Sequence, residues 1–118
     1  MGRLAVEAVE QALVERDAVD PGSVAVIVPD SLLGVVANAF DAAGVEFGRA
    51  ARNGLNVQIT LVPVSLVKGL ELDATVVVEP AAILAEEVQG ARALYVALTR
   101  ATKRLVLVHE RDLPEVLQ

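Results

Sequence analysis

Three short runs, Val24 to Val28, Ala74 to Val78 and Leu105 to Val108, constrain this chain more than any other feature. Each is too short for a helix and is apolar at both odd and even positions. A strand with one face in water alternates apolar and polar side chains, whereas a strand apolar on both faces must be covered on both. Longer segments with helical spacing stand between the runs. This alternation predicts an α/β fold, a mostly parallel sheet with helices on both faces.

Taken in order, residues 3–16 carry Val6, Val9 and Leu13 at helical spacing, with Glu7, Glu10 and Glu15 elsewhere on the wheel. Asp20-Pro21-Gly22 reads as a turn. Val24 to Val28 reads as a central parallel strand stopped by Pro29, with Asp30 or Ser31 placed to cap the next helix. Leu32, Val35, Val36, Ala39, Phe40 and Ala43 give that helix its apolar face, and Gly44 stands where a C′ glycine belongs. Val45 to Phe47 reads as a short strand, residues 48–55 as a loop, and Val57 to Val62 as a strand interrupted by Pro63. Lys68 to Asp73 is polar and compact, a loop or one helical turn. From Ile83 to Ala101 the pattern is helical, with Val88, Ala91, Tyr95 and Leu98 on one side. The tail at Asp112-Leu113-Pro114 is expected to fray.

The length, 118 residues, fits one domain spanning 1–118. Hydrophobic residues make up 54% and aromatics 3%, so the core must be built from Val, Leu, Ala and Ile. The net charge of −6 argues against a protein that coats nucleic acid. Residues 1–48 carry eight acids against Arg3 and Arg16, while 49–118 balance eight of each sign, which makes the second half the better home for an anionic ligand. With no cysteine and a single histidine, His109, thiolate and His-rich metal sites are excluded and no metal is expected. Neither a signal-peptide core nor an apolar run near ~20 residues is present, so the expectation is a cytoplasmic protein with no membrane partner.

The chemistry gathers between residues 64 and 104. Two phrases, Val67-Lys68-Gly69-Leu70-Glu71-Leu72-Asp73 and Leu94-Tyr95-Val96-Ala97-Leu98-Thr99-Arg100-Ala101, each precede an apolar run. Both therefore fall at strand edges, where open α/β sheets place ligands. Lys68 and Gly69 offer a cation beside a residue that lets a ligand approach the backbone. Glu71 can accept from a hydroxyl such as a ribose, or pair with Lys68 as a surface i,i+3 couple. Arg100 can aim a guanidinium at a phosphate or merely complement a helix end. Tyr95 reads as a packed aromatic and His109 as an exposed strand-end residue. The chain contains no G-x-x-x-x-G-K-[ST] loop and no G-x-S-x-G elbow, so a complete enzyme is hard to find in it.

The first phrase resembles motif V of the UvrD/Rep/PcrA-like superfamily 1 helicases, with its KGLEFD core. The second resembles motif VI, the YVALTRA phrase followed by a strand. The resemblance covers roughly residues 20–110. It implies the C-terminal half of a second RecA-like motor domain that lacks a P-loop. It also implies that Arg100 is the arginine finger reaching the γ-phosphate of ATP, with Glu71 and Gly69 at the nucleotide. ATP and Mg2+ would be held by a first RecA-like domain of the same parent chain, and none would bind tightly to this part alone. By the same resemblance Ser65, Lys68 and Thr99 would face single-stranded DNA. Pro63 and Ser65 stand where the family usually has Thr and His, and Leu72 replaces the usual Phe. Two other readings stay open: a HelD-like factor that uses ATP to remodel RNA polymerase, and a stand-alone non-catalytic binding domain.

Overall fold

The chain passes through helix α1 (Gly2–Val19), strand β1 (Val24–Val28), helix α2 (Leu33–Ala43), strands β2 (Gly48–Arg49), β3 (Ile59–Pro63) and β4 (Leu72–Val78), helices α3 (Pro80–Glu86) and α4 (Gly90–Leu98), and strand β5 (Ala101–Val108). This computed structural model describes residues 2–20, 22–49, 58–67 and 72–115. The strands form one sheet in the order β2-β3-β1-β4-β5, and every neighbouring pair is parallel.

β1 lies in the middle, in register with β3 from Val24↔Ile59 and with β4 from Val24↔Ala74. Its five residues are all buried. Val24, Val26 and Val28 pack into one core layer with α1 and α2, formed by Leu4, Ala8, Ala12, Val36 and Phe40. Ala25 and Ile27 face the opposite layer, which holds Ile83 of α3 with Leu94 and Ala97 of α4. That two-sided burial is why the run is apolar throughout; each buried Val or Ile contributes about 1.5–3 kcal/mol through area removed from water. The expected α/β architecture, parallel and covered on both faces, is the one observed.

α2 ends as its sequence requires: Gly44 takes φ +71°, and its amide returns to Phe40 and Asp41 carbonyls. Other expectations need correction. The turn before α2 uses no side-chain cap. Asp30 instead accepts from the hydroxyl of Ser65 at 2.7 Å, and Ser31 donates to Glu86 at 2.6 Å. Val45 to Phe47 is not a strand. Phe47 packs its ring on Phe40, 5.2 Å between centroids, and the short strand is the next pair, Gly48–Arg49. Residues 50–57, read mostly as loop, lie outside the described residues. The strand expected from Val57 to Val62 runs from Ile59 through Pro63.

The segment from Ile83 to Ala101 is two helices rather than one. α3 stops at Glu86 and α4 starts at Gly90, where an added Cβ would collide with the carbonyl of Leu84. Ala101 already belongs to β5. The buried side of α4 is Leu94 and Ala97, while Val88, Ala91 and Tyr95 face out. α1 is rotated in the same sense: Leu4, Ala5, Ala8, Val9 and Ala12 are buried and Val6 is 53% exposed. Glu15 is buried on that inner face, and Arg104 of β5 meets it at 2.6 and 3.3 Å. The tail is pinned rather than frayed. The amides of Glu110 and Arg111 donate to the buried carboxylate of Glu79 at 2.8 and 2.9 Å, and Pro114 is buried.

Candidate functional site

The last described residue of the second phrase and the first of β4 meet at one corner of the sheet. The Leu72 amide donates to the Arg100 carbonyl at 3.1 Å, and Leu72 pairs with Ala101. Thr102 returns a hydroxyl bond to the Leu72 carbonyl at 3.1 Å. Beside them Asp73 accepts from the Ser23 amide at 2.8 Å and lies 3.5 Å from the Lys103 ammonium. The amino ends of β1, β4 and β5 are thus tied together by one carboxylate. The Ser23 amide holds the Asp73 carboxyl below its ordinary range against a smaller opposing effect of burial, and Lys103 adds to the lowering. A hollow of about 260 Å³ opens here, lined by Ser23, Leu72, Asp73 and Thr102. Gly22 makes the arrangement possible, since a Cβ there would strike the Asp73 carboxylate.

This corner lies at the amino ends of β4 and β5. The rule for ligand crevices in open α/β sheets concerns carboxyl ends. Each phrase precedes its apolar run, so each was bound to fall at the amino end, and the reading that equated the two edges is corrected.

Arg100 itself is half-buried. Its Nε donates to the Val96 carbonyl at 3.1 Å and its Nη2 approaches the Thr99 hydroxyl oxygen at 3.4 Å. The Thr99 hydroxyl is within 3.0 Å of the Tyr95 carbonyl and 3.1 Å of the Val96 carbonyl. The guanidinium therefore rests against the negative end of α4, as the helix-end reading required, with its position fixed at the corner. Tyr95, expected in the core, is 68% exposed on the outer face of the helix. Lys68, Gly69 and Glu71 lie outside the described residues.

Ser65 is elsewhere. It follows the carboxyl end of β3, across the sheet from the Arg100 corner, and bonds Asp30 through both its hydroxyl and its amide. Near it a hollow of about 240 Å³ runs between Val64, Val67 and the α3–α4 elbow at Val88 and Arg92. The candidates thus divide into an Arg100–Thr99 corner and a Ser65 edge. His109 is exposed, as expected, with Nδ1 2.8 Å from the Arg111 carbonyl. Among the described residues, no group of three or more His, Cys, Asp or Glu side chains could hold a metal ion, and no helix is long and apolar enough to cross a membrane. Sequence reasoning quoted Asp73 within its phrase but gave it no role. The signal was its place directly after Leu72, at the strand's entry.

The two-faced parallel sheet, with its arginine at the end of a helix that feeds the edge strand, defines a RecA-like α/β domain. Residues 58–108 match the family described as the UvrD-like helicase C-terminal domain. A solved structure described as the C-terminal domain of a possible DNA helicase from Lactobacillus plantarum WCFS1 superposes with a TM-score of 0.75 at 26% identity, covering 96% of this chain and 71% of that one. The Sulfolobus solfataricus SWI2/SNF2 ATPase core in complex with dsDNA matches more loosely, with a TM-score of 0.48 and 17% identity over 73% of this chain and 21% of that one. No curated protein matches the chain in sequence.

Proposed function

We propose that this domain is the C-terminal part of the second motor domain of an ATP-driven DNA helicase, and that Arg100 is its arginine finger. In this reading a first RecA-like domain of the parent chain holds ATP and Mg2+. Arg100 reaches the γ-phosphate across the cleft, Glu71 and Gly69 contact the nucleotide, and Ser65 and Lys68 face the strand. The observation that carries it is the backbone bond between Leu72 and Arg100, which joins the end of one motif to the end of the other. A guanidinium at such a corner offers two parallel donors to phosphate oxygens and a charge that does not titrate. Arginines of this kind act on charge that develops as the phosphoryl group transfers.

The test is steady-state ATP hydrolysis by the longer protein that carries this domain. Arg100→Ala is expected to lower kcat by about 10³-fold, with a smaller change in nucleotide affinity. A fall below about tenfold would leave Arg100 as a helix-end charge and overturn the proposal. The isolated chain, having no loop for the β- and γ-phosphates, is expected to show no turnover.

A further inference from the structure

We infer that Thr99 is the positioning residue of Arg100: its hydroxyl ties the guanidinium to the end of α4 so that the arginine is pre-set before a phosphate arrives. The inference rests on the arginine-finger reading of Arg100 and replaces the strand contact expected of Thr99.

Thr99 is exposed, so its side chain is not there to fill the core. It closes α4 with φ −101° and ψ 7°, without the left-handed glycine that ends α2. The carbonyls that a glycine motif would satisfy are served by the Thr99 amide and hydroxyl, both directed at Tyr95 and Val96. A hydroxyl that donates to the helix end still has lone pairs to accept with. Arg100 Nη2 approaches that oxygen at 3.4 Å while its Nε donates to the Val96 carbonyl at 3.1 Å. Val96 O and Thr99 Oγ1 are fixed to one helix end, so two points on the guanidinium fork are fixed with them. A long side chain held at two points loses less freedom when it engages a ligand. Its placement is also what a transition-state contact depends on.

Such a role separates from simple capping. Thr99→Val keeps the shape and removes the hydroxyl, while Thr99→Ser keeps the hydroxyl. In the longer protein that carries this domain, Thr99→Val is expected to lower kcat for ATP about tenfold with KM within twofold, and Thr99→Ser to restore it. In an Arg100→Ala background Thr99→Val should change nothing further. In the isolated chain, the Arg100 Nε–H heteronuclear NOE should fall in Thr99→Val and hold in Thr99→Ser. If Arg100→Ala lowers kcat but Thr99→Val does not, the inference fails and the arginine-finger reading stands. It also fails if the Thr99→Val defect persists without Arg100, is not rescued by serine, or leaves the NOE unchanged. If Arg100→Ala itself leaves kcat intact, the arginine-finger reading fails first, and the inference with it.

Discussion

Two side chains show how far single residues can be read. Thr75 sits in the middle of β4, fully buried, and among the described residues its hydroxyl has no partner. Its neighbours across the sheet are Ala25 and Leu105. A buried hydroxyl left unsatisfied costs free energy that an isosteric methyl does not. Thr75→Val is therefore expected to stabilise the chain by about 1 kcal/mol, read as a higher thermal midpoint; a lower midpoint would mean the hydroxyl is satisfied. Asp73 is the opposite case, a carboxylate whose ionised form is held by the Ser23 amide and by Lys103. Its folded-state pKa lies below the ordinary carboxylate range. The stability this supplies is present above the unfolded pKa and is lost as pH falls through the folded one. Asp73→Asn should be less stable than the parent chain at neutral pH, and the gap should close below about pH 4 in urea titrations run across pH. A gap that stays constant down to pH 2 would show that the charge contributes nothing. Neither role was legible in the sequence, because each depends on which strands lie side by side.

Whole elements were more legible, and their failures have identifiable causes. Val24–Val28 and Ala74–Val78 were read correctly as buried strands because burial on both faces favours that composition. Leu105–Val108 is a strand as expected but not a buried one, since β5 is the edge of the sheet and Leu105 is 44% exposed. The helix expected across 83–101 failed at Gln89-Gly90, where a glycine inside a helical pattern marked an elbow that the periodicity hid. The outward turn of Val88, Ala91 and Tyr95 was misread because alanine and valine fill the faces of this aromatic-poor chain without distinction. α1 shows the same effect, its inner face being largely alanine and including Glu15. Two glycines turn this into a paired prediction. Gly44→Ala meets open space but keeps φ +71°, and should cost about 1 kcal/mol from backbone strain alone. Gly90→Ala has no such φ, and its Cβ meets the Leu84 carbonyl, which is backbone and cannot step aside. It should lower the thermal midpoint further than Gly44→Ala, even though alanine is the better helix former. The reverse ranking would show that the elbow between α3 and α4 yields easily.

For the molecule as a whole, the sheet's two edges differ in charge and in what they can bind, and composition could not reveal this. At the amino edge Arg100 and Lys103 stand near Asp73. At the carboxyl edge Asp30, Glu86 and Glu110 are exposed around the buried Glu79, with Arg111 and His109 beside them. The strand contact expected of Ser65 would fall on this acidic side, where its hydroxyl is already given to Asp30. Aromatic stacking offers little more. Phe40 is buried with Phe47 against it, leaving Tyr95 as the exposed ring in a chain of one Tyr, two Phe and no Trp. Base stacking contributes about 1–3 kcal/mol per base, so one ring cannot build a platform. With a net charge of −6, long-range attraction to phosphates is also poor. What remains is the group Arg49, Arg52 and Lys68, whose side chains lie outside the described ones; neutralising so few phosphates gives shallow salt dependence and little affinity. The isolated chain should therefore bind single-stranded DNA weakly near physiological salt. Fluorescence anisotropy with a labelled oligonucleotide at low and physiological salt measures this. Sub-micromolar binding that survives physiological salt and disappears in Lys68→Ala would refute it, and would make this domain a principal strand-binding surface.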